Sequence, residues 1–126
     1  MNIPANLKYT KDHEWVSIEG NVGTIGITEY AQGELGDIVY VDINPDLTEI
    51  TMGETFGTIE AVKTVSDLYA PLTGKVLELN KRLGDEPQLI NTDSFGEGWI
   101  IKIEIADTNQ LNNLLDAAGY QAQLAL

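Results

Sequence analysis

Between residues 15 and 106 the chain falls into short runs of β-branched, aromatic and aliphatic residues, each cut off by Gly, Asn or Pro. That punctuation leaves little room for long helices and favours short strands joined by tight turns. "WVSIEGNVGTIGI" reads as two strands, 15–19 and 22–27, around Gly20-Asn21, a pair suited to a hairpin turn with positive φ. "DIVYVDI" (37–43) is a strand ended by Asn44-Pro45-Asp46, and "GETFGTIEAV" (53–62) is the next. "KTVSDLYAPL" turns and leads into another, "TGKVLELN" (73–80) continues the pattern, and "GWIIKIEIA" (98–106) closes it. One helix interrupts the series at "TEYAQGELG", with Thr28 as its N-cap, Glu29 in its first turn and Gly36 as its stop.

The tail changes period. In "DTNQLNNLLDAAGY", Asp107 or Thr108 caps an expected amphipathic helix on which Leu111, Leu114, Leu115 and Ala118 share one face. Its polar face carries Asn and Gln, so packing on the sheet is expected and membrane binding is not. The expected organisation is a single domain over 1–126, with a β core at 22–106, a hairpin at 60–66 and a helical appendage at 107–126. An internal repeat is also suggested. "GETFGTI" (53–59) aligns with "GDEPQLI" (84–90), and "GDIVYV" (36–41) with "SDLYAP" (66–71), as if two β halves met near 60–66.

Composition removes several function classes. The 126 residues and 43% hydrophobic content are enough for one real core. There is no cysteine, so disulfides, thiolate metal sites and a cysteine nucleophile are excluded. His13 is the single histidine, which excludes a multi-histidine metal site within one chain, and no nucleophile-elbow motif is present. A formal charge of −13 speaks against nucleic acid and anionic membrane surfaces. The opening "MNIPANLKYTKDHEW" has no signal-peptide core and too little Arg and Ser for a transit peptide. The expectation is an untargeted soluble protein starting at Met1, monomeric and cytoplasmic, or in the mitochondrial matrix if a processed eukaryotic form.

Lys63 stands out because it lies in "TIEAVKTVSD", an expected hairpin apex, in a chain with only 7 basic residues. Ala61, Val62, Thr64 and Val65 are small or β-branched and stiffen the backbone around it. Glu60 stands three residues before it and Asp67 four after, with Ser66 alongside. A modifying enzyme needs such a handle to find one lysine. On these residues alone, a solvated lysine and a modified one both remain open.

The wider pattern narrows the choice. "GETFGTIEAVKTVSDLYAPLTGKV" resembles the lipoylation segment of the glycine cleavage system H protein family. The family pattern of Glu, any residue, Val, Lys, two residues and Ser is met by Glu60, Val62, Lys63 and Ser66. "KYTKDHEWV", "GTIGITEYAQGELGDIVYVD", "LINTDSFGEGWIIKI" and "LLDAAGY" resemble the same family in the same order, so the likeness covers nearly the whole chain. Biotin carrier domains usually place their lysine between two methionines, and lipoyl domains of 2-oxoacid dehydrogenases usually show Asp-Lys-Ala. Neither pattern is present here.

The resemblance implies a mainly β, hybrid-motif barrel-sandwich of two small sheets with an N-terminal β-hairpin, a short helix and a C-terminal helix. It implies that Lys63 carries lipoic acid through an amide, which removes its charge, and that the protein is a carrier and no enzyme. Its implied partners are a pyridoxal-phosphate glycine decarboxylase, a tetrahydrofolate-dependent aminomethyltransferase, dihydrolipoyl dehydrogenase and a lipoate-attaching enzyme. The first loads an aminomethyl group on a lipoyl sulfur, the second passes it to tetrahydrofolate with release of ammonia, and the third restores the disulfide. The family also implies a surface cleft that shelters the loaded arm from water. Glu14 and Asp67 match positions that contact it, and Asp12 matches a third, where relatives can carry Ser. Carboxylates suit an ammonium at the tip of the arm.

The other notable residues have plainer expected roles. His13, between Asp12 and Glu14, is expected to pack or hydrogen-bond, and Trp15 and Trp99 to anchor the core. "FGEGW" has the wrong spacing for a phosphate loop and reads as a turn. Asp85, Glu86, Asp93 and Glu97 read first as a solvated face and second as a partner-docking surface. Two alternatives to glycine cleavage stay open at this level: a lipoyl relay to other enzymes, and an unmodified β interaction module.

Overall fold

The computed structural model describes residues 2–124. Its short strands are β1 (Lys8–Tyr9), β2 (Glu14–Glu19), β3 (Val22–Ile27), β4 (Ile38–Asp42), β5 (Glu49–Ile50), β6 (Thr55–Ala61), β7 (Val65–Tyr69), β8 (Gly74–Leu79) and β9 (Ile101–Ile105). The helices are α1 (Glu29–Leu35), α2 (Leu89–Thr92) and α3 (Ala117–Leu124). Two antiparallel sheets result: a six-stranded sheet in the order β1-β2-β3-β9-β8-β5 and a three-stranded sheet in the order β4-β6-β7. Val16, Ile25, Ile101 and Ile103 from the first pack into one core with Ile38, Phe56, Ile59 and Leu68 from the second. The mainly β character expected from the strand pattern and the two-sheet architecture implied by the family resemblance are therefore both observed. Among the described residues no helix is long and apolar enough to cross a membrane.

The β2–β3 hairpin closes over Gly20-Asn21 with Glu19 opposite Val22. Only Gly20 takes a positive φ, +62°, as a turn with glycine at its first central position requires. Four pairs further along the ladder, Trp15 faces Gly26. A Cβ on Gly26 would lie 2.6 Å from the indole, so glycine is what lets the ring lie across β3. From there Trp15 Nε1–H donates to the Ser94 carbonyl at 2.9 Å and pins the turn before β9 to the sheet. Helix α1 starts and stops as its sequence demands. The Thr28 hydroxyl accepts from the Ala31 N–H at 3.2 Å, and Gly36 ends the helix at φ +83°.

Two expectations are corrected. The tail is not one amphipathic helix from Asp107 to Tyr120. Asp107 instead caps a 3-10 turn over Thr108–Asn113, Leu114 is extended at ψ 152°, and α3 begins only at Ala117. Leu115 is taken by the sheet, exchanging hydrogen bonds of 2.8 and 2.7 Å with Tyr9 on the open edge of β1. Asn, Thr and Asp compete with helical backbone bonding, so "DTNQLNN" propagates poorly and the edge strand wins. The last residues of the expected appendage, 125–126, lie outside the described residues, as does Met1. The suggested repeat also fails in its first half. "GETFGTI" forms β6, whereas "GDEPQLI" ends a 3-10 turn at Gly84 and enters α2, with Pro87 unable to donate to a ladder.

Replacing Gly26 by Ala is expected to push the Trp15 indole off β3. The cost should be about 1–3 kcal/mol, the usual range for overpacking. Thermal melts with near-ultraviolet circular dichroism check it, and an unchanged melt with an unchanged aromatic signal would contradict this account of the glycine.

Candidate functional site

The β6–β7 hairpin projects Lys63 at its apex. Ala61 N–H donates to the Thr64 carbonyl at 2.8 Å, and Val62 N–H donates to the Asp37 carbonyl at 3.0 Å. The loop is thus closed on itself and tied to the residue before β4, while Val62, Lys63, Thr64 and Val65 stay exposed. The lysine stem runs past the end of α1, with Cδ and Cε 3.8 Å from where a Gly36 Cβ would stand. Among the described residues the side-chain ion pairs involve Arg82 with Glu86 and Glu97, and none involves Lys63.

The hairpin separates residues that the sequence groups together. Glu60 lies opposite Val65, and Ser66 lies opposite the buried Ile59. Alternation along a strand therefore puts Glu60 and Val65 on the outer face and Ser66 on the inner one. Glu60, Val62 and Ser66 do not form one continuous surface around the lysine.

Beside the hairpin lies a cleft of about 280 Å³. The β1–β2 turn brings Asp12, His13 and Glu14 to it, α1 brings Tyr30, Ala31, Glu34 and Leu35, and β7 brings Ser66, Asp67 and Leu68. Three of the residues picked from the sequence, Asp12, Glu14 and Asp67, thus meet in one cavity, and Ser66 joins them. The turn is built on Thr10. Its hydroxyl accepts from the Asp12 and Glu14 N–H groups, both at 3.2 Å, and meets Glu14 Oε1 at 2.7 Å. His13 takes a positive φ of 68°, which lets Asp12 and Glu14 flank it in the tight bend.

His13 is held neutral-leaning by burial, which lowers its pKa against the opposing pull of Asp12 and Glu34. Its Nδ1 meets the Tyr120 hydroxyl at 2.9 Å, and that hydroxyl meets Thr28 Oγ1 at 2.7 Å. The ring also lies 4.7 Å from Tyr30, centroid to centroid. His13 is therefore a packed, hydrogen-bonding residue, as its sequence context implied. Glu14 is only 3% exposed, and burial pushes its carboxyl up to about 8. The Thr10 hydroxyl and the Tyr69 backbone pull the other way, while Asp12 adds to the rise.

Four carboxyl groups, from Asp12, Glu14, Glu34 and Asp67, line a cavity whose remaining wall includes Ile27, Ala31, Leu35, Ile59 and Leu68. Among the described residues no Lys or Arg lines it. Such a site suits a cationic tip on an apolar stem. Glu34 and Tyr30 were not singled out from the sequence. The available signal was helical spacing, since 30, 31, 34 and 35 fall on one face of α1.

The family model described as Glycine cleavage H-protein matches residues 7–125. A glycine cleavage system H protein of Symbiobacterium thermophilum is 54% identical over 121 residues, covering 96% of this chain and 94% of that one. One from Bacteroides fragilis is 54% identical over 122 residues, covering 97% of each. A crystal structure of a glycine cleavage system H protein from Mycobacterium marinum superposes with a TM-score of 0.89 at 37% identity, over 98% of this chain and all of that one.

Glu14 gives the site a pH signature. Its folded pKa lies above the ordinary 4.5, so between those values the folded state holds a proton that the unfolded state has released. Stability from this group is complete below the lower value and is lost as pH rises through about 8. In Glu14→Gln the melting temperature relative to the parent should therefore rise from about pH 5 to pH 8. Parallel melting curves across that interval would contradict the buried-carboxyl assignment.

Proposed function

This chain belongs to the glycine cleavage H-protein family, and we propose that Lys63 is the residue through which it carries lipoate. The protein is a lipoyl carrier of the glycine cleavage system. Supporting the choice of lysine is one arrangement: Lys63 stands exposed on a braced hairpin, and its stem passes Gly36 at the end of the helix that walls the carboxylate-lined cleft. The described residues fit the group. The cleft's aliphatic walls match an acyl chain, and its carboxyl groups match a cationic cargo.

When attached, a lipoyl group supplies a disulfide–dithiol pair that accepts and releases a one-carbon amine. The chain's own residues do the rest. In this reading Asp67 and Asp12 accept hydrogen bonds from the cargo ammonium at the cleft wall, and Glu14 supplies a carboxylate from within it. Ile27, Leu35, Ile59 and Leu68 keep water from the cargo carbon, since a carbon between sulfur and nitrogen loses its amine to water. His13, fixed by Tyr120, holds the bend that presents Asp12 and Glu14.

The lipoate-attaching enzyme would recognise the apex through Glu60 and Val62, with Ser66 acting from the inner face. The pyridoxal-phosphate decarboxylase, the folate-dependent aminomethyltransferase and dihydrolipoyl dehydrogenase are the partners this role requires. The same reading takes the chain as one carrier domain, since both sheets share a core.

Intact mass of the protein from its native source, with peptide mapping over residues 54–75, tests the assignment. A lipoyl increment on Lys63 is expected, and Lys63→Arg should lose all carrier activity with an unchanged melt, because Arg cannot form the amide. Full activity of Lys63→Arg would defeat the proposal.

A further inference from the structure

We propose that Tyr40 and Val65, with Val39 and Val62, form an apolar collar that docks the enzyme acylating Lys63. This rests on the reading of Lys63 as the lipoyl site and adds the surface and the partner that covers it. Val62 is 72% exposed, Val65 60%, Val39 51% and Tyr40 49%. Single exposed apolar residues are ordinary, but a contiguous group on a monomer surface marks an interaction site.

Strand register makes these four contiguous. Tyr40 lies opposite Glu60 and Glu60 opposite Val65, so Tyr40 and Val65 flank Glu60 on the outer face of the β4-β6-β7 sheet. Val39 sits in the bulge between the Ile38 and Tyr40 pairings, and Val62 is tied to Asp37 immediately before that strand. The collar therefore surrounds the base of the lysine on the side away from the cleft. By contrast Leu77, 50% exposed, stands on β8 of the other sheet.

Reach selects the occupant. In the attachment step the neutral Lys63 amine attacks the carbonyl carbon of a lipoyl adenylate made from lipoate and ATP. The C–N bond forms, the bond from that carbon to the phosphate oxygen of AMP breaks, and an amine proton passes to solvent. The acylating active site must therefore come within one lysine side chain of the hairpin backbone, and it cannot do so without covering the residues beside the apex. Enzymes that act on the dithiolane work at the far end of the acyl chain and need not touch the collar. Glu60, set between Tyr40 and Val65, calls for a basic side chain within an otherwise apolar rim on the partner.

The test measures initial rates of attachment by intact mass on unmodified chain, with lipoate, ATP and a lipoate–protein ligase. A Tyr40→Ser, Val65→Thr double variant should lose at least tenfold in kcat/KM, mainly through KM, while Leu77→Ser keeps the parent rate. Full loading of the double variant on long incubation, with a parent-like melt, is expected and shows that fold and lysine are intact. A parent rate in the double variant overturns the collar, as does an equal loss in Leu77→Ser. Failure of the unsubstituted chain to take lipoate on Lys63 is a separate result, seen before any variant is compared, and it defeats the lipoyl assignment itself.

Discussion

The hydroxyl of Tyr120 ties the walls of the cleft together. It meets His13 in the β1–β2 turn and Thr28 at the start of α1, while the Tyr120 ring stacks on Tyr9 of β1 at 4.8 Å. Thr28 is at the same time the N-cap of α1. One side chain from α3 thus sets the helix that carries Tyr30 and Glu34 against the turn that carries Asp12 and Glu14. Tyr120 is fully buried, so a broken bond here leaves polar groups without water and costs more than the bond itself is worth. The C-terminal helix is small, yet the geometry of the cleft depends on it.

That rigidity complements a long movable side chain. The hairpin under Lys63 is braced by its own closing bond and by Asp37, so its apex keeps a fixed place relative to α1. The lysine itself is exposed and forms no ion pair among the described residues. If Lys63 carries the group as proposed, a fixed base and a free arm would let it alternate between the cleft and partners without rearranging the fold, with the carboxyl groups already in place.

Much of this could be read from the sequence because the signals were local. Thr28 and Gly36 bound α1 through capping chemistry, Gly20-Asn21 closed a hairpin, and β-branched alternation located the longer strands. Two-residue strands such as β1 and β5 are too short to show a period. Leu115 was misplaced because its helical spacing was genuine but the open edge of β1 offered competing hydrogen bonds. Asp12, Glu14 and Asp67 were reached through family likeness, and their meeting depends on long-range packing. Glu34 and Tyr30 stayed hidden because a helix face shows which residues point together without showing what they face.

Electrostatics then limits how such a carrier holds its arm. On the proposed assignment, acylation of Lys63 would remove its charge and leave the chain one unit more negative than −13. A neutral arm would be held in this cavity by aliphatic contact and neutral polar groups, with no charge for the four carboxyl groups to pair. A cationic tip adds charge-assisted hydrogen bonds, which strengthen as water is excluded. Glu14 sharpens the difference. Burial favours its protonated form while no cation is near, and a neighbouring ammonium favours the carboxylate. The cleft therefore avoids a full set of mutually repelling charges when it holds no cation, and gains a charge partner when one enters. On the proposed assignment, that exchange of a proton for an ammonium would distinguish a loaded arm from an unloaded one with no movement of the backbone required.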